Sequence, residues 1–142
     1  MKISTKGRYG LRALIDISIY SFSETVTLKS ISERQDISER YLEQIFSSLR
    51  KGGVIKSKKG PQGGYFLSEE ANNLTIGEIL RILEGDSNLI NIEETDNEME
   101  KFICENLWEV ANKRIKDFFN SITLEELSTK YKESTVNIMY YI

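Results

Sequence analysis

Apolar residues recur at helical spacing over the first long segment of the chain. The pattern is nearly apolar all round as far as Ile19, which is typical of a helix buried on every side. We therefore expect this segment to form the central core helix. Its apolar positions are Tyr9, Leu11, Ala13, Leu14, Ile15, Ile17, Ile19 and Phe22.

Four cations precede this helix or occupy its first turns: Lys2, Lys6, Arg8 and Arg12. Positive side chains at a helix N-terminus oppose the helix dipole. One interpretation is that they face an anionic partner such as phosphate. The other is that they are ordinary solvated side chains, and the pattern alone does not choose between the two.

A second apolar pattern predicts two short helices joined by a tight turn. Thr27 can cap a helix over residues 28–35, with Leu28, Ile31 and Ser32 facing inward. The turn falls at Asp36 and Ile37. Either Asp36, which has capping-box spacing to Glu39, or Ser38 caps the next helix. The buried stripe of that helix is Leu42, Ile45, Phe46 and Leu49.

The opposite face of this second helix is polar: Ser38, Arg40, Tyr41, Glu43, Gln44, Ser47 and Ser48. Arginine pairs with guanine, glutamine with adenine, and glutamate accepts from cytosine. Two helices of this kind are typical of a helix-turn-helix. We expect Arg40, Glu43 and Gln44 to read base edges, although a surface pairing of Glu43 with Arg40 or Ser47 is the alternative.

A short hairpin follows the recognition helix. Gly52 and Gly53 end the helix, and residues 54–57 and 65–67 read as two strands. The tip between them is basic and rich in glycine, which lets the backbone approach another molecule closely. Lys58 and Lys59 suit phosphate or the minor groove. A helix-turn-helix with this hairpin predicts a winged helix-turn-helix.

The C-terminal half reads as helices around an acidic loop. Thr75 and Glu78 form a capping box for a helix that ends at about Glu84. The polar segment 86–97 reads as a loop, and a long helix follows over residues 98–120. Thr123, with Glu126, starts a further helix through about Lys130. The tail, residues 136–142, is too apolar to extend freely into solvent.

The long helix has a wide apolar stripe. At 1.5 Å per residue it spans about 35 Å, which is long for packing on the small domain alone. We expect it to pair with a second copy in a dimer, while folding back onto the core helix is the alternative. The dimerisation residues are Met99, Phe102, Ile103, Leu107, Val110, Ala111, Ile115 and Phe118.

These patterns divide the chain into a DNA-binding domain (1–84), a loop (85–97) and a dimerisation helix with its tail (98–142). The predicted fold class is mainly α, with a small two-stranded β wing. Charge follows the same division: residues 1–67 carry 12 basic and 6 acidic side chains, and residues 68–142 carry 7 and 16. A basic half favours a polyanionic partner.

Composition disfavours catalysis. The chain has no histidine and one cysteine, and it lacks a P-loop or a GxGxxG motif. We therefore expect no enzyme, no catalytic residue and no metal. The single Cys104 excludes an internal disulfide and is either a small buried residue or, less favoured, a redox-sensing thiol. With no long apolar span and no signal region, we expect a cytoplasmic protein.

Four segments together resemble the Rrf2 family of bacterial transcriptional regulators. They are MKISTKGRYGLRAL, ISERYLEQIFSSLRKGGVIKS, KGPQGGYFL and ITLEEL. The resemblance implies a winged helix-turn-helix homodimer that binds a palindromic operator in double-stranded DNA. The full set of residues expected to contact DNA is Lys2, Lys6, Arg8, Ser38, Arg40, Tyr41, Glu43, Gln44, Arg50, Lys58, Lys59, Gly60, Gly63 and Tyr65.

Within the family, the opening MKISTKGRYGL and the ending MYYI resemble the branch of cysteine-metabolism repressors. The cluster-binding branch carries three cysteines before the long helix, where this chain has Ile92 and Glu98 in the same region. The resemblance implies a repressor without an iron–sulfur cluster or other cofactor, with cysteine synthase as corepressor. Lys59 departs from the family pattern, because family members usually have arginine at this position. A lysine ammonium cannot make the paired hydrogen bonds of a planar guanidinium.

Two alternatives stay open at this point. One is a redox- or stress-responsive regulator of the same family that senses through Cys104. The other is a winged-helix module that uses its face to bind a protein.

Overall fold

The computed structural model describes residues 3–21, 25–85 and 88–140, without the side chains of residues 137–140. Lys2, Phe22, Asp86 and the last two residues of the tail lie outside the described residues. Within these ranges the elements are α1 (Thr5–Tyr20), α2 (Leu28–Gln35), α3 (Glu39–Lys51), β1 (Ile55–Lys58), β2 (Gly64–Leu67), α4 (Ile76–Glu84), α5 (Glu98–Ile103), α6 (Glu109–Asn120) and α7 (Leu124–Tyr140). The prediction of a mainly helical winged fold is confirmed.

Helix α1 lies at the centre of the core, as its all-round apolar pattern predicts. Ala13, Leu14 and Ile17 are fully buried. The helix packs against α2, α3, α4, α7 and strand β2. Thr5, Arg8 and Arg12 are exposed along one narrow face, and the rest of α1 meets other elements.

One charged residue of α1 is buried inside this core. Asp16 is only 1% exposed. Its carboxylate accepts two hydrogen bonds from the guanidinium of Arg34, at 2.9 and 2.7 Å, and one from the amide of Gln35 at 2.9 Å. Arg34 also stacks over the ring of Tyr20, 4.0 Å from its centroid. These contacts fix the C-terminal end of α2 on α1, and the hydrogen bond that Arg34 donates to Asp16 raises the pKa of Arg34.

The two strands of the wing pair antiparallel, with Ile55 opposite Leu67 and Lys58 opposite Gly64. Both strands are shifted by one residue or less from the prediction. An isolated bridge between Val26 and Tyr65 adds a third pairing. The base of the wing is therefore held to the segment before α2.

The long helix (residues 98–120) is continuous from α5 through α6. Between them, Cys104–Trp108 form a π-helical turn in which the N–H of Glu109 donates to the carbonyl of Cys104. The loop before it, described over residues 88–97, contains neither helix nor strand, as predicted. The side chain of Asn112 accepts from the N–H of Ile90 and donates to its carbonyl, both at 2.9 Å, and so ties the loop to the long helix.

Helix α7 runs to Tyr140, so the prediction that it ends at about Lys130 was wrong. The sequence from Leu124 to Tyr140 contains neither proline nor glycine, and nothing in it stops a helix that has begun. The Thr123 hydroxyl accepts from the N–H of Glu126 at 3.1 Å, which is the first bond of the predicted capping box. Leu124 is fully buried in the same core cluster as α1.

The division of the chain into 1–84, 85–97 and 98–142 stays a prediction. Helix α7 begins inside the core that α1 organises, although the prediction places it in the dimerisation part. No helix among the described residues combines the length and the apolar character that crossing a membrane requires.

Candidate nucleic-acid interface

The turn before α3 settles which residue caps the recognition helix. The Ser38 hydroxyl accepts from the N–H of Tyr41 at 3.2 Å, so Ser38 is the N-cap. Asp36 instead takes a left-handed conformation with φ of 54° at the end of α2. Asparagine and aspartate tolerate this conformation better than most residues. Asp36 therefore makes the turn, and Ile37 is buried beside it.

Helix α3 has one buried face and one exposed polar face. Leu42, Ile45, Phe46 and Leu49 belong to the core, which confirms the predicted stripe. On the opposite side Ser38, Arg40, Glu43, Gln44 and Arg50 are exposed. These side chains do not belong to the described core. Their donors and acceptors are exposed and would face base edges if α3 lay in the major groove of DNA.

Tyr41 differs from its exposed neighbours on α3. Its ring is half-buried and meets the ring of Tyr9 edge-to-face, with centroids 5.8 Å apart. The guanidinium of Arg12 lies over the ring of Tyr9, 5.0 Å from its centroid. It also donates a hydrogen bond to the carbonyl of Gln35. The prediction counted Tyr41 among the outward residues, whereas the structure uses its ring to pack α3 on α1.

The first turns of α1 lie next to the recognition helix. Lys6 Nζ donates to the hydroxyl of Ser48 at 2.8 Å, which joins the start of α1 to the C-terminal half of α3. Arg8 is exposed, and its Nε donates to the carbonyl of Ile3 at 3.3 Å. Lys6 is therefore placed beside α3, as a phosphate-contacting role requires, while a DNA contact of Arg8 stays a prediction.

A carboxylate from another helix lies at the N-terminus of α1. The carboxylate of Glu84, at the end of α4, accepts from the N–H and the hydroxyl of Ser4 at 2.7 and 2.5 Å. Ser4 is the N-cap of α1. Glu84 supplies the negative charge that the helix dipole favours there, so the cations near this end do not by themselves require an outside phosphate.

The tip of the wing is basic and closely turned. Lys58, Lys59, Gly60, Pro61 and Gln62 are all exposed. Gly60 has φ of 107°, a backbone conformation that residues other than glycine rarely adopt. Its carbonyl accepts a hydrogen bond from the N–H of Gly63 at 2.9 Å. The predicted pair of lysines thus stands at the end of the hairpin.

Tyr65 connects the wing to α3. Its backbone pairs with Val26 in both directions, at 2.7 and 3.0 Å. Its ring packs against Phe46 with centroids 4.7 Å apart. The half-buried ring therefore fixes the angle between the wing and the recognition helix and lies apart from the basic tip.

Sequence reasoning missed the two groups that position this interface, Asp16 and Glu84. Asp16 is the one acid in a segment that is otherwise nearly apolar as far as Ile19, and that mismatch was a signal of a buried ion pair. Glu84 gave no such signal, because its partner Ser4 is 80 residues away in sequence.

Cys104 lies at the start of the π-helical turn in an acidic setting. Its sulfur is 3.9 Å from a carboxylate oxygen of Glu109. Partial desolvation, together with the negative charges of Glu109, Glu100 and Glu105, raises the pKa of the thiol. A raised pKa keeps the sulfur protonated, which disfavours the reactive thiolate that a redox sensor uses.

The residues present do not fit an iron–sulfur cluster. Such clusters are usually held by four cysteine-type ligands, and this chain has one cysteine and no histidine. In the part of the chain that the structure describes, no group of three or more histidine, cysteine, aspartate or glutamate residues could hold a metal ion.

Comparison with known proteins places these features in a family. Residues 3–130 match the Rrf2 model, described as an iron-dependent transcriptional regulator. The chain is 37% identical to the HTH-type transcriptional regulator CymR of Bacillus subtilis over the full length of both. It is also 40% identical over 129 residues to IscR of Pectobacterium atrosepticum, covering 89% of this chain and 79% of that one.

Solved structures agree with the sequence matches. The structure of CymR, the global cysteine regulator of B. subtilis, matches with a TM-score of 0.79 at 40% identity, and the match covers 92% of this chain and 98% of that one. The structure of T. potens IscR has a TM-score of 0.76 at 38% identity, covering 94% and 90%. These relatives are named as regulators and not as enzymes, so the expectation that the chain is not an enzyme is confirmed. The chain belongs to the Rrf2 family of transcriptional regulators.

Proposed function

We propose that the protein is a homodimeric repressor that binds a palindromic operator and controls genes of cysteine and sulfur metabolism. The observation that carries the proposal is the exposed polar face of α3, together with Lys6, which is bonded to Ser48 of that helix, and the exposed lysines at the tip of the wing. Side chains of this kind read base edges, and the flanking cations contact phosphates.

The homodimer is supported by apolar side chains that the rest of the described chain leaves uncovered. Met99 is 73% exposed, Phe102 65% and Phe118 60%. Large apolar groups exposed together on one helix mark an interaction surface. Two copies joined along this helix would present two recognition helices to the two halves of one operator.

Control of cysteine metabolism is supported by the extent of the likeness to CymR. The match with the B. subtilis regulator spans both chains from end to end, whereas the match with IscR of P. atrosepticum leaves about a fifth of that relative uncovered. Cysteine synthase as corepressor belongs to the same proposal. Because the residues of this chain do not fit an iron–sulfur cluster, we expect a partner protein to control its DNA binding.

The experiment is a salt titration of binding to promoter fragments of cysteine and sulfur genes, read by fluorescence anisotropy. Specific binding should weaken by about 10³-fold or more between 50 and 200 mM salt if six or more phosphates are contacted. A scrambled fragment of the same length is the control. Affinity that is equal for both fragments, or flat with salt, would overturn the proposal.

The corepressor is tested separately on the same fragments. Adding cysteine synthase should tighten operator binding at fixed salt, while an unrelated enzyme of similar size should leave it unchanged. An unchanged affinity would remove the corepressor and keep the repressor. Binding to proteins but to no DNA fragment would favour the interaction-module alternative instead.

A further inference from the structure

The two residues before the cap of α2, Thr25 and Val26, run beside the wing. Val26 is 5% exposed and belongs to the core cluster. Thr27 follows as the N-cap of α2, and its hydroxyl accepts a hydrogen bond from the N–H of Ser30 at 3.1 Å. The core and the cap therefore fix Thr25 and Val26 relative to α2 and, through the tight turn, relative to the recognition helix α3.

Strand β2 comes so close to this segment that one position has no room for a side chain. A Cβ on Gly64 would lie 2.5 Å from the carbonyl oxygen of Val26 and 3.0 Å from Oγ1 of Thr25. The first of these distances is shorter than real Cβ contacts. Because Gly64 has only a hydrogen there, β2 can pair with the segment through Val26 and Tyr65 and bring the end of the wing close to Thr25.

The side chain of Thr25 makes a hydrogen bond to the wing tip, residues 58–63. Its hydroxyl donates to the carbonyl oxygen of Gln62 at 2.9 Å. The backbone bond from the N–H of Gly63 to the carbonyl of Gly60 lies within the tip itself. Among the described residues, Thr25 is therefore the one side chain that hydrogen-bonds the wing tip to the rest of the chain.

The wing needs such a contact because its own strands are short. Strands β1 and β2 have four residues each, and an isolated two-stranded hairpin is at best marginally stable in water. The wing tip also contains Gly60 and Gly63, and glycine loses more conformational freedom on ordering than any other residue. Ordering a mobile loop costs free energy when it binds a partner. A hydrogen bond that orders the wing tip before binding removes part of that cost.

We propose that Thr25 is a positioning residue for DNA binding, whose hydroxyl holds the wing tip at a fixed angle to the recognition helix. It acts through Lys58 and Lys59, which contact the phosphate backbone while α3 lies in the major groove. This role rests on the proposed function, since it requires that the wing and α3 meet the same DNA. Thr25 itself makes no contact with DNA.

Thr25→Val tests the hydrogen bond, because it keeps the branched shape of the side chain and removes the donor. Loss of the bond, and of the order it gives the wing tip, should weaken binding to the promoter fragments by about 3–10-fold at fixed salt. Thr25→Ser keeps the hydroxyl and should bind within about twofold of the wild-type chain. The matched control is Thr135→Val, which removes an exposed hydroxyl that donates to the carbonyl of Tyr131 at 3.0 Å on α7 and should leave affinity unchanged.

The same substitution in a chain without the two lysines separates positioning from direct contact. With Lys58→Ala and Lys59→Ala present, the angle of the wing tip no longer affects a phosphate contact. At a salt concentration at which this chain still binds, Thr25→Val should cost less than about 1.5-fold in affinity. An equal cost in both backgrounds would mean that Thr25 contacts DNA itself or merely supports the fold, and it would overturn the positioning role.

Hydrogen exchange of the free chain tests the hydrogen bond without DNA. In Thr25→Val the N–H of Gly63 should exchange about 3–10-fold faster, because the turn that protects it opens more often. The N–H of Val54 donates to the carbonyl of Leu49 at the base of the wing, and its exchange should stay within about twofold of the wild-type rate. Equal rates for Gly63 in the variant and the wild-type chain would overturn the inference.

The binding experiment also separates this role from the proposed function. A wild-type chain that binds no promoter fragment would overturn the proposed function, whatever the exchange of Gly63 shows. Promoter binding that Thr25→Val leaves unchanged would overturn the positioning role and keep the proposed function.

Discussion

Gln44 lies in the middle of the exposed face of α3, where its amide can pair with one base. Replacing it by alanine should cost about 1–3 kcal/mol at a single base step and relax specificity there. The comparison is Lys59→Ala at the wing tip, which should weaken binding about equally on all sequences because phosphate contacts carry no base information. Competition assays over all single-base variants of the operator measure both. Uniform loss for Gln44→Ala would make it a phosphate contact.

Asp16 is a buried charged residue whose substitution should destabilise the fold. Asp16→Asn removes the charge that the Arg34 guanidinium faces, and we expect a loss of about 1–3 kcal/mol in unfolding free energy. This lies below the usual figure for a buried pair because the Arg34 side chain is 30% exposed. Urea denaturation followed by circular dichroism measures it.

The matched control for Asp16 is Asp117→Asn. Asp117 pairs with Lys113 at 2.7 Å, but both side chains are more than half exposed. A pair in water contributes little, so this change should cost less than about 0.5 kcal/mol. Equal losses in the two variants would mean that burial adds nothing to the Asp16 pair.

Cys104 should react slowly. Because its pKa is raised, the thiolate fraction at pH 8 is smaller than that of an ordinary cysteine, and iodoacetamide should alkylate the folded chain more slowly than the chain in urea. Glu109→Gln should speed the folded reaction by removing one of the charges responsible, while Glu133→Gln should not. Faster alkylation of the folded chain would restore the redox-sensing alternative.

At the scale of elements, the start of α1 is held by the end of α4. Glu84→Gln keeps an acceptor for Ser4 but removes the negative charge at the N-terminus of α1. We expect a loss of about 0.5–1.5 kcal/mol in stability. Glu94→Gln, in the exposed loop, is the control and should leave Tm unchanged. Equal Tm values for the two variants would contradict the capping role.

Most elements follow from local patterns. The stripe of Leu42, Ile45, Phe46 and Leu49 predicted the buried face of α3, and Thr75 with Glu78 predicted the capping box of α4, which the structure contains in full. Such features depend on residues three or four apart. The end of α7 was missed because it lacks a local stop, and Tyr41 was placed outward because its ring partner Tyr9 is far away in sequence.

The side chains of the candidate interface could be predicted from the sequence, whereas the contacts that position them could not. The exposed side chains of α3 and the lysines of the wing could be named from spacing alone. That Lys6 reaches Ser48, and that Tyr65 packs on Phe46, depends on how separate elements meet. Periodicity carries no information on such contacts.

At the scale of the whole molecule, the prediction concerns assembly. Phe102→Glu places a charge in the exposed apolar stripe of the long helix and should convert a dimer into monomers at micromolar concentration. Lys113→Glu reverses a charge on the same helix at an exposed position and should leave the dimer intact. Sedimentation velocity over a concentration series distinguishes the species. A wild-type chain that is monomeric throughout would exclude the homodimer.

The π-helical turn at Cys104–Trp108 also sets the phase of that stripe. A π turn accommodates one residue more than the α-helix around it, and each residue of an α-helix rotates the side chains by about 100°. Deleting one residue from this turn would therefore restore plain α geometry and leave α6 in its present phase relative to α5, whereas forming the same turn as plain α-helix with every residue kept would swing α6 by that angle. Met99 and Phe102 would then point to a different side from Phe118. A single-residue deletion inside the turn should therefore keep the stripe aligned, whereas a deletion in α5 or α6 should break its alignment and decide which copies of the chain can pair.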